Sequence, residues 1–339
     1  MTFKELYFKG EIPFEEIDRY TSRWNFSDET CTLAQYLGLN AEEEDVWISQ
    51  SDEALEDLLE QEKKAYTTCK TKILFTDLDG TLLNDDKKIS DANKESIHRA
   101  LNAGHKIVLA SGRALANVLP VADSLELKTP GCYIIAYNGG QIYDCYAKRL
   151  LFDQTLTFDD VYDVFQASKE YGIYTQTYQD GYVITDKEDE ELKYYAKKAS
   201  AQYIITDDVP GYLLKEPSKI LFIDLKDRKR LEEFCQVLNE RFEKRMHAFF
   251  SSDYYLEIVP KNVSKGNSMH FLSNYLNIPM NNTVAVGDYD NDLPMIKEAA
   301  VGVILSNGPA HVKEQADYVT VNDNNHDGFK EAVEKFLLS

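Results

Sequence analysis

Ile73-Leu74-Phe75-Thr76-Asp77-Leu78-Asp79-Gly80-Thr81 is a short apolar run that stops at two aspartates one residue apart, followed by glycine and threonine. The apolar part reads as a buried strand, and buried strands rarely end in paired carboxylates because an unpaired buried charge is expensive. Two readings stand side by side. Asp, Gly and Thr are ordinary turn residues, so the stretch can be a solvated strand-to-loop turn. Alternatively, carboxylates at a strand's carboxyl end, with a glycine that lets the backbone approach a ligand, suit a cation and an anionic substrate. The rest of the chain decides between them.

Downstream of Lys72 the pattern alternates between strand and helix. Ile73–Thr76, Lys106–Ala110 and Cys132–Tyr137 read as strands, separated by helices near Asp91–Ala103 and Ala114–Leu125. Short βαβ loops predict a parallel sheet with right-handed crossovers. Gln141–Tyr143 and Leu150–Phe152 read as a hairpin. The parallel pattern resumes after Pro260, with helices at Ser264–Leu276, Asn291–Ala299, Ala310–Gln315 and Gly328–Leu338, and strands at Thr283–Val286, Val301–Leu305 and Tyr318–Val321. Between these halves, residues 154–260 carry hairpin-like strands around Gln179-Asp180-Gly181 and an amphipathic helix through Leu231, Phe234, Leu238 and Phe242, which predicts an inserted α+β domain with one antiparallel sheet. The expected fold class is therefore α/β, with a Rossmann-like parallel core at 71–153 and 261–339 and an α+β insert at 154–260.

Residues 1–70 differ in composition. Their 17 acidic against 7 basic residues give a net charge of −10, nearly half of the chain's −21. Phe14, Ile17, Tyr20, Trp24, Leu33, Leu37 and Trp47 argue against disorder. A helix opened by Pro13, a second capped by Asn40 with Glu43, and a third through Leu55, Leu58 and Leu59 predict a small acidic helical module. It carries no ligand motif, so docking of a protein partner and a lid over the next domain are both open.

At 339 residues, 43% hydrophobic and 28% charged, the chain has the composition of a folded protein with two or three domains. A net charge of −21 disfavours nucleic acid and anionic membrane as partners. Five cysteines without C-x-x-C spacing fit a reducing compartment, and the absence of a signal-like start or a spanning run makes a cytoplasmic location the expectation. The six histidines show no zinc-binding spacing, and no nucleotide-binding glycine loop is present.

Three strand ends of the parallel half carry unusual polar groups: Asp77 and Asp79; Ser111-Gly112-Arg113; and Gly287-Asp288-Tyr289-Asp290-Asn291-Asp292. In an open parallel sheet such loops converge at the carboxyl ends of the strands. Lys265-Gly266 adds a cation where the chain re-enters the core. Each is ordinary alone. Taken in order, they are similar to the four motifs of the haloacid dehalogenase-like hydrolase superfamily, and the insert resembles the type IIB cap of its Cof-like phosphatases. Asn138-Gly139 and Tyr255-Leu256-Glu257-Ile258 look like that family too. The resemblance covers about residues 71–339 and leaves 1–70 outside.

The resemblance implies a magnesium-dependent phosphatase acting on a small phosphorylated metabolite through an aspartyl-phosphate. It makes Asp77 the nucleophile and Asp79 the proton-transfer residue. The Asp77 side chain, the Asp79 backbone carbonyl and Asp288 become Mg²⁺ ligands, and Ser111, Gly112, Lys265 and Asn291 bind phosphate. Asp292 and Arg113 take supporting roles. A phosphomutase of the same superfamily, or a regulatory protein working through residues 1–70, is the alternative.

Overall fold

The computed structural model describes residues 2–27, 31–199 and 201–339. Residues up to Lys72 group with His270–Asn282 as one unit, and Ile73–Met269 with Thr283–Ser339 as a second. No helix among the described residues is long and apolar enough to cross a membrane.

In the larger unit the strands run, in chain order, β1 (Ile73–Thr76), β2 (Lys106–Ala110), β3 (Cys132–Ala136), β4 (Gln141–Asp144), β5 (Arg149–Asp153), β6 (Tyr174–Gln179) and β7 (Tyr182–Thr185). They continue as β8 (Gln202–Ile205), β9 (Ile220–Ile223), β10 (Met246–Ser252), β11 (Tyr255–Pro260), β12 (Thr283–Gly287), β13 (Val301–Ile304) and β14 (Tyr318–Val319). One sheet has the order β14-β13-β12-β1-β2-β3-β4-β5 and the other β10-β11-β9-β6-β7-β8.

The first sheet is parallel from β14 to β3 and antiparallel only in the β3-β4-β5 meander. β1 is its pivot. Ile73 pairs with Lys106 on one side and Thr283 on the other, and all four β1 residues are buried. A strand covered on both faces must be apolar along its whole length, as Ile-Leu-Phe-Thr nearly is. The chain proceeds from β1 outward to β2 and β3, then returns through β12 on the opposite side. The carboxyl ends of β1 and β12 are thus a topological switch point, where open α/β sheets bind ligands.

The second sheet is largely antiparallel, as the hairpin signals predict, but β7 and β8 run parallel. Helix Glu190–Ala199 connects them as a crossover, and a helical connection that spans the sheet brings the next strand back in the same direction. Gln202–Ile205, mostly exposed and at the edge, carries too little alternation to read as a strand from sequence. Leu156, Val161, Val164, Phe165, Phe222, Phe234 and Leu238 fill this domain's own core.

The N-terminal unit is helical. Phe3, Tyr7, Phe14, Ile17, Leu37, Leu55 and Leu59 form its core, and Asn40 with Glu43 makes the expected capping box on helix Ala41–Ser49. Two short helices, Phe3–Lys9 and Leu33–Leu37, were not evident from periodicity. The sequence places residues 270–282 with the parallel core. They group with the acidic helices because Asn277 accepts from Lys4 (2.7 Å), Asn274 donates to Glu5 (3.0 Å), and the Asn282 amide donates to the Cys69 carbonyl (2.7 Å).

Candidate active site

The switch point brings the β1 and β12 loops together. The Asp77 N–H extends the sheet ladder by donating to the Val286 carbonyl (2.9 Å), so the first residue past β1 is still held by β12. Gly80 then turns with φ of +82°, and a Cβ there would lie 2.3 Å from an Asp288 carboxylate oxygen. Only glycine allows that approach. The Thr81 hydroxyl donates to Asp288 (2.9 Å), which ties the β1 loop to the β12 loop.

Lys265, at the start of helix Lys265–Tyr275, is fully buried between the two loops. Its Nζ lies 2.5 Å from Asp77 Oδ1 and 2.6 Å from Asp292 Oδ1. Asp292 also accepts from the backbone N–H groups of Asp288 (2.9 Å) and Tyr289 (3.1 Å), so it shapes the loop that presents Asp288. Burial alone would lower the Lys265 ammonium, but Asp292 and Asp77 outweigh it and keep it charged. Asp77, Asp288 and Asp292 have oxygens within 4.8 Å of one another. Burial, joined by repulsion from Asp292 and Asp79, pushes Asp77 up to about 7 despite Lys265. Burial and the charges of Asp77 and Asp292 push Asp288 well above the ordinary carboxylate range. Buried Asp77 and Asp292 and half-buried Asp288 thus gather around one ammonium, and the surplus negative charge fits a dication bound by hard oxygen ligands.

The second aspartate of the opening stretch has a different environment. Arg113 donates to Asp79 through Nε (2.7 Å) and Nη2 (2.6 Å), and Lys87 through Nζ (2.7 Å). Burial would raise the Asp79 carboxyl, but these two cations together hold it below the ordinary value. Arg113 therefore has a definite partner, and Lys87 is a contributor that sequence reasoning missed. Its only signal was proximity to Asp79 in the chain.

At the end of β2, the Ser111 N–H donates to Ile135 (2.8 Å), and the Asn138 N–H donates back to the Ser111 carbonyl (3.0 Å). Ser111 and Asn138 are buried. The Asn291 amide donates to Asn138 Oδ1 (3.1 Å), so the loops after β2, β3 and β12 meet. Gly112 sits close against the Asn138 amide, where a Cβ would come within 2.9 Å. All nine sequence-predicted residues therefore lie on these converging loops or on the helix start beside them. The sequence gives no role to Lys219 or Glu257, two buried charges of the inserted domain, although Glu257 lies in the family-like stretch Tyr255–Ile258. Lys219 Nζ bonds Glu257 (2.9 Å) and the Gly112 carbonyl (2.9 Å), and the Asn138 amide donates to Glu257 (3.0 Å). A glutamate inside the apolar strand Leu256–Ile258 was the available signal.

The haloacid dehalogenase-like hydrolase family matches residues 74–333. The chain belongs to that family. A Streptococcus pyogenes protein with a provisional phosphatase name is 30% identical over 279 residues, spanning 79% of this chain and 99% of its own length. A haloacid dehalogenase-like hydrolase from Bacteroides thetaiotaomicron, 31% identical, superposes with a TM-score of 0.68 over 78% of this chain and 99% of that one. The fold is shared with a subclass IIB sugar phosphatase at 20% identity, TM-score 0.66, over 78% and 99% of the two chains. This hydrolase is thus of the Cof type, a parallel core sheet with a second, inserted sheet as its cap. The acidic N-terminal unit lies outside the family match, which begins at Leu74.

Proposed function

We propose that this phosphoric monoester hydrolase removes phosphate from a small phosphorylated metabolite of the sugar-phosphate kind, with residues 154–260 as the cap over the site. The observation that carries the reading is the buried Asp77 at the switch point, with Lys265 on one oxygen and Asp288 and Asp292 beside it. Asp77 attacks phosphorus in line with the leaving oxygen, which departs with a proton from Asp79. Asp79 then takes a proton from water, which attacks the aspartyl-phosphate, releases inorganic phosphate and regenerates both carboxyls. Arg113 and Lys87 hold Asp79 as a carboxylate, the form needed for the second step. Delivering a proton in the first step requires that pairing to open.

Lys265 supplies positive charge to the transferring group and keeps Asp77 oriented, while the Ser111 hydroxyl, the loop N–H groups at Gly112 and the Asn291 amide cradle phosphoryl oxygens. The Asp77 and Asp288 carboxylates, with the Asp79 main-chain carbonyl, would hold Mg²⁺, and Asp292 supports the set through Lys265 and the loop backbone. A dication held by these residues would neutralise phosphoryl charge and polarise the group. The test is release of free phosphate from p-nitrophenyl phosphate and a sugar-phosphate panel with Mg²⁺ and with chelator. Mg²⁺-dependent release supports the reading. An inert protein, or one that transfers phosphate between positions on a sugar without releasing it, contradicts it.

A further inference from the structure

Two of the most deeply buried charges of the cap take no part in the steps above. Lys219 precedes β9 and Glu257 lies on β11, the neighbouring strand, and both are buried. Lys219 Nζ reaches out of the cap to the Gly112 carbonyl (2.9 Å) while keeping Glu257 at 2.9 Å, with the Tyr178 ring centroid at 5.7 Å. Glu257 is occupied further: Oε2 accepts from Asn138 (3.0 Å), and Oε1 accepts from Ser251 (2.7 Å). Asn138 in turn accepts from Asn291 (3.1 Å). One buried hydrogen-bonded chain thus runs from two cap strands to the two core loops that carry Ser111 and Asn291.

The Gly112 carbonyl and the Arg113 N–H belong to one rigid peptide plane. The carbonyl is anchored by the cap lysine, and the N–H donates to Ser111 Oγ (3.2 Å). A hydroxyl that accepts in one direction must aim its own hydrogen in another, so this peptide turns Ser111 into an outward donor. Seating a cap needs no such pair, because an apolar contact of equal volume does so without the desolvation cost of buried ions.

We infer that Lys219 and Glu257 are positioning residues for phosphate binding. The cap lysine orients the Gly112–Arg113 peptide and, through it, the Ser111 hydroxyl, while Glu257 holds both Lys219 and Asn138. The phosphate cradle is complete only while the cap is seated. This rests on the phosphatase reading for what Ser111 binds.

Inorganic phosphate is the probe, used on the full-length protein, both as an inhibitor of p-nitrophenyl phosphate hydrolysis and as a stabiliser in thermal melts. Lys219→Met and Glu257→Gln are expected to weaken phosphate binding about tenfold, the scale of one hydrogen bond to a charged group. Lys219→Arg, which can still reach the carbonyl, recovers part of it. In a double-mutant cycle, adding Lys219→Met to Ser111→Ala costs no further phosphate affinity, because one acts through the other. If Lys219→Met does not fold, the shape-preserving Glu257→Gln runs the same cycle. Additive losses, or unchanged phosphate affinity with a lowered melting temperature, overturn the inference and leave the hydrolase reading standing. A wild type that neither hydrolyses nor binds phosphate removes both.

Discussion

Lys4 and Lys265, one in each unit, are buried lysines that each touch two carboxylates, and they look alike until their surroundings are compared. Lys4 contacts Glu43, Glu62 (3.1 Å) and the Asn277 amide oxygen (2.7 Å). Lys265 contacts Asp77 (2.5 Å) and Asp292 (2.6 Å). Burial pushes Glu43 up to about 7 against the pull of Lys4, and it pushes Asp77 up to about 7 against the pull of Lys265. A displaced carboxyl therefore does not separate a working site from a structural one. What separates them is placement and saturation. Glu43 is locked in a capping box, accepting from the Asn40 backbone (3.0 Å) and side chain (2.6 Å). Asp77 stands at a switch point against further carboxylates, with charge left over.

The largest expected contrast is in Lys265→Met, which should lower turnover about 100- to 1000-fold, the scale of one lost electrostatic stabiliser. Steady-state hydrolysis with Mg²⁺ checks it, and a variant within a few-fold of wild type would place Lys265 with Lys4 as a structural cation.

Lys4→Met should do the opposite. It strands the buried Glu43 and should cost about 3–5 kcal/mol of stability, with turnover unchanged at temperatures where the protein stays folded. Denaturant unfolding beside an activity assay reads both. A loss of turnover without a loss of stability would break the comparison.

The smallest effect is a pH dependence. Asp77, Asp288 and Glu43 all have folded values above their ordinary ones. Their contribution to stability is complete below the unfolded range of about 4 and is lost as pH rises through their folded values, about 7 for Asp77 and Glu43. Metal-free protein should melt lower at about pH 8 than at about pH 5, and Mg²⁺ should raise the melting point more at the higher pH, since it relieves Asp77 and Asp288 but not Glu43. Equal Mg²⁺ shifts at both pH values would mean that the carboxylate cluster is not where the ion binds.

Much of the core was legible because its signals are local. An apolar run ending in Asp77-Leu78-Asp79-Gly80 announces a buried strand with carboxylates at its end, and the βα alternation orders the sheet around it. The site residues sit in short motifs directly after strands, so topology alone brings Ser111, Asp288 and Asn291 together. The roles of Lys219 and Glu257 were not legible, because their partners Gly112 and Asn138 are more than a hundred residues away and meet them only through docking of two domains. The parallel β7–β8 pair was missed because strand direction depends on the crossover helix. The grouping of residues 270–282 with the acidic helices was missed because it rests on side-chain amides such as Asn277, which read as loop residues.

In the proposed mechanism Asp77 bonds to phosphorus. Wild type and Asp77→Asn, mixed with a phosphomonoester and Mg²⁺ and quenched in acid, are digested and weighed by mass spectrometry. One added phosphoryl group is expected on the wild-type peptide that contains Asp77, absent from the inactive variant. Turnover by Asp77→Asn at the wild-type rate, or a phosphoryl group trapped on a different residue, would contradict it.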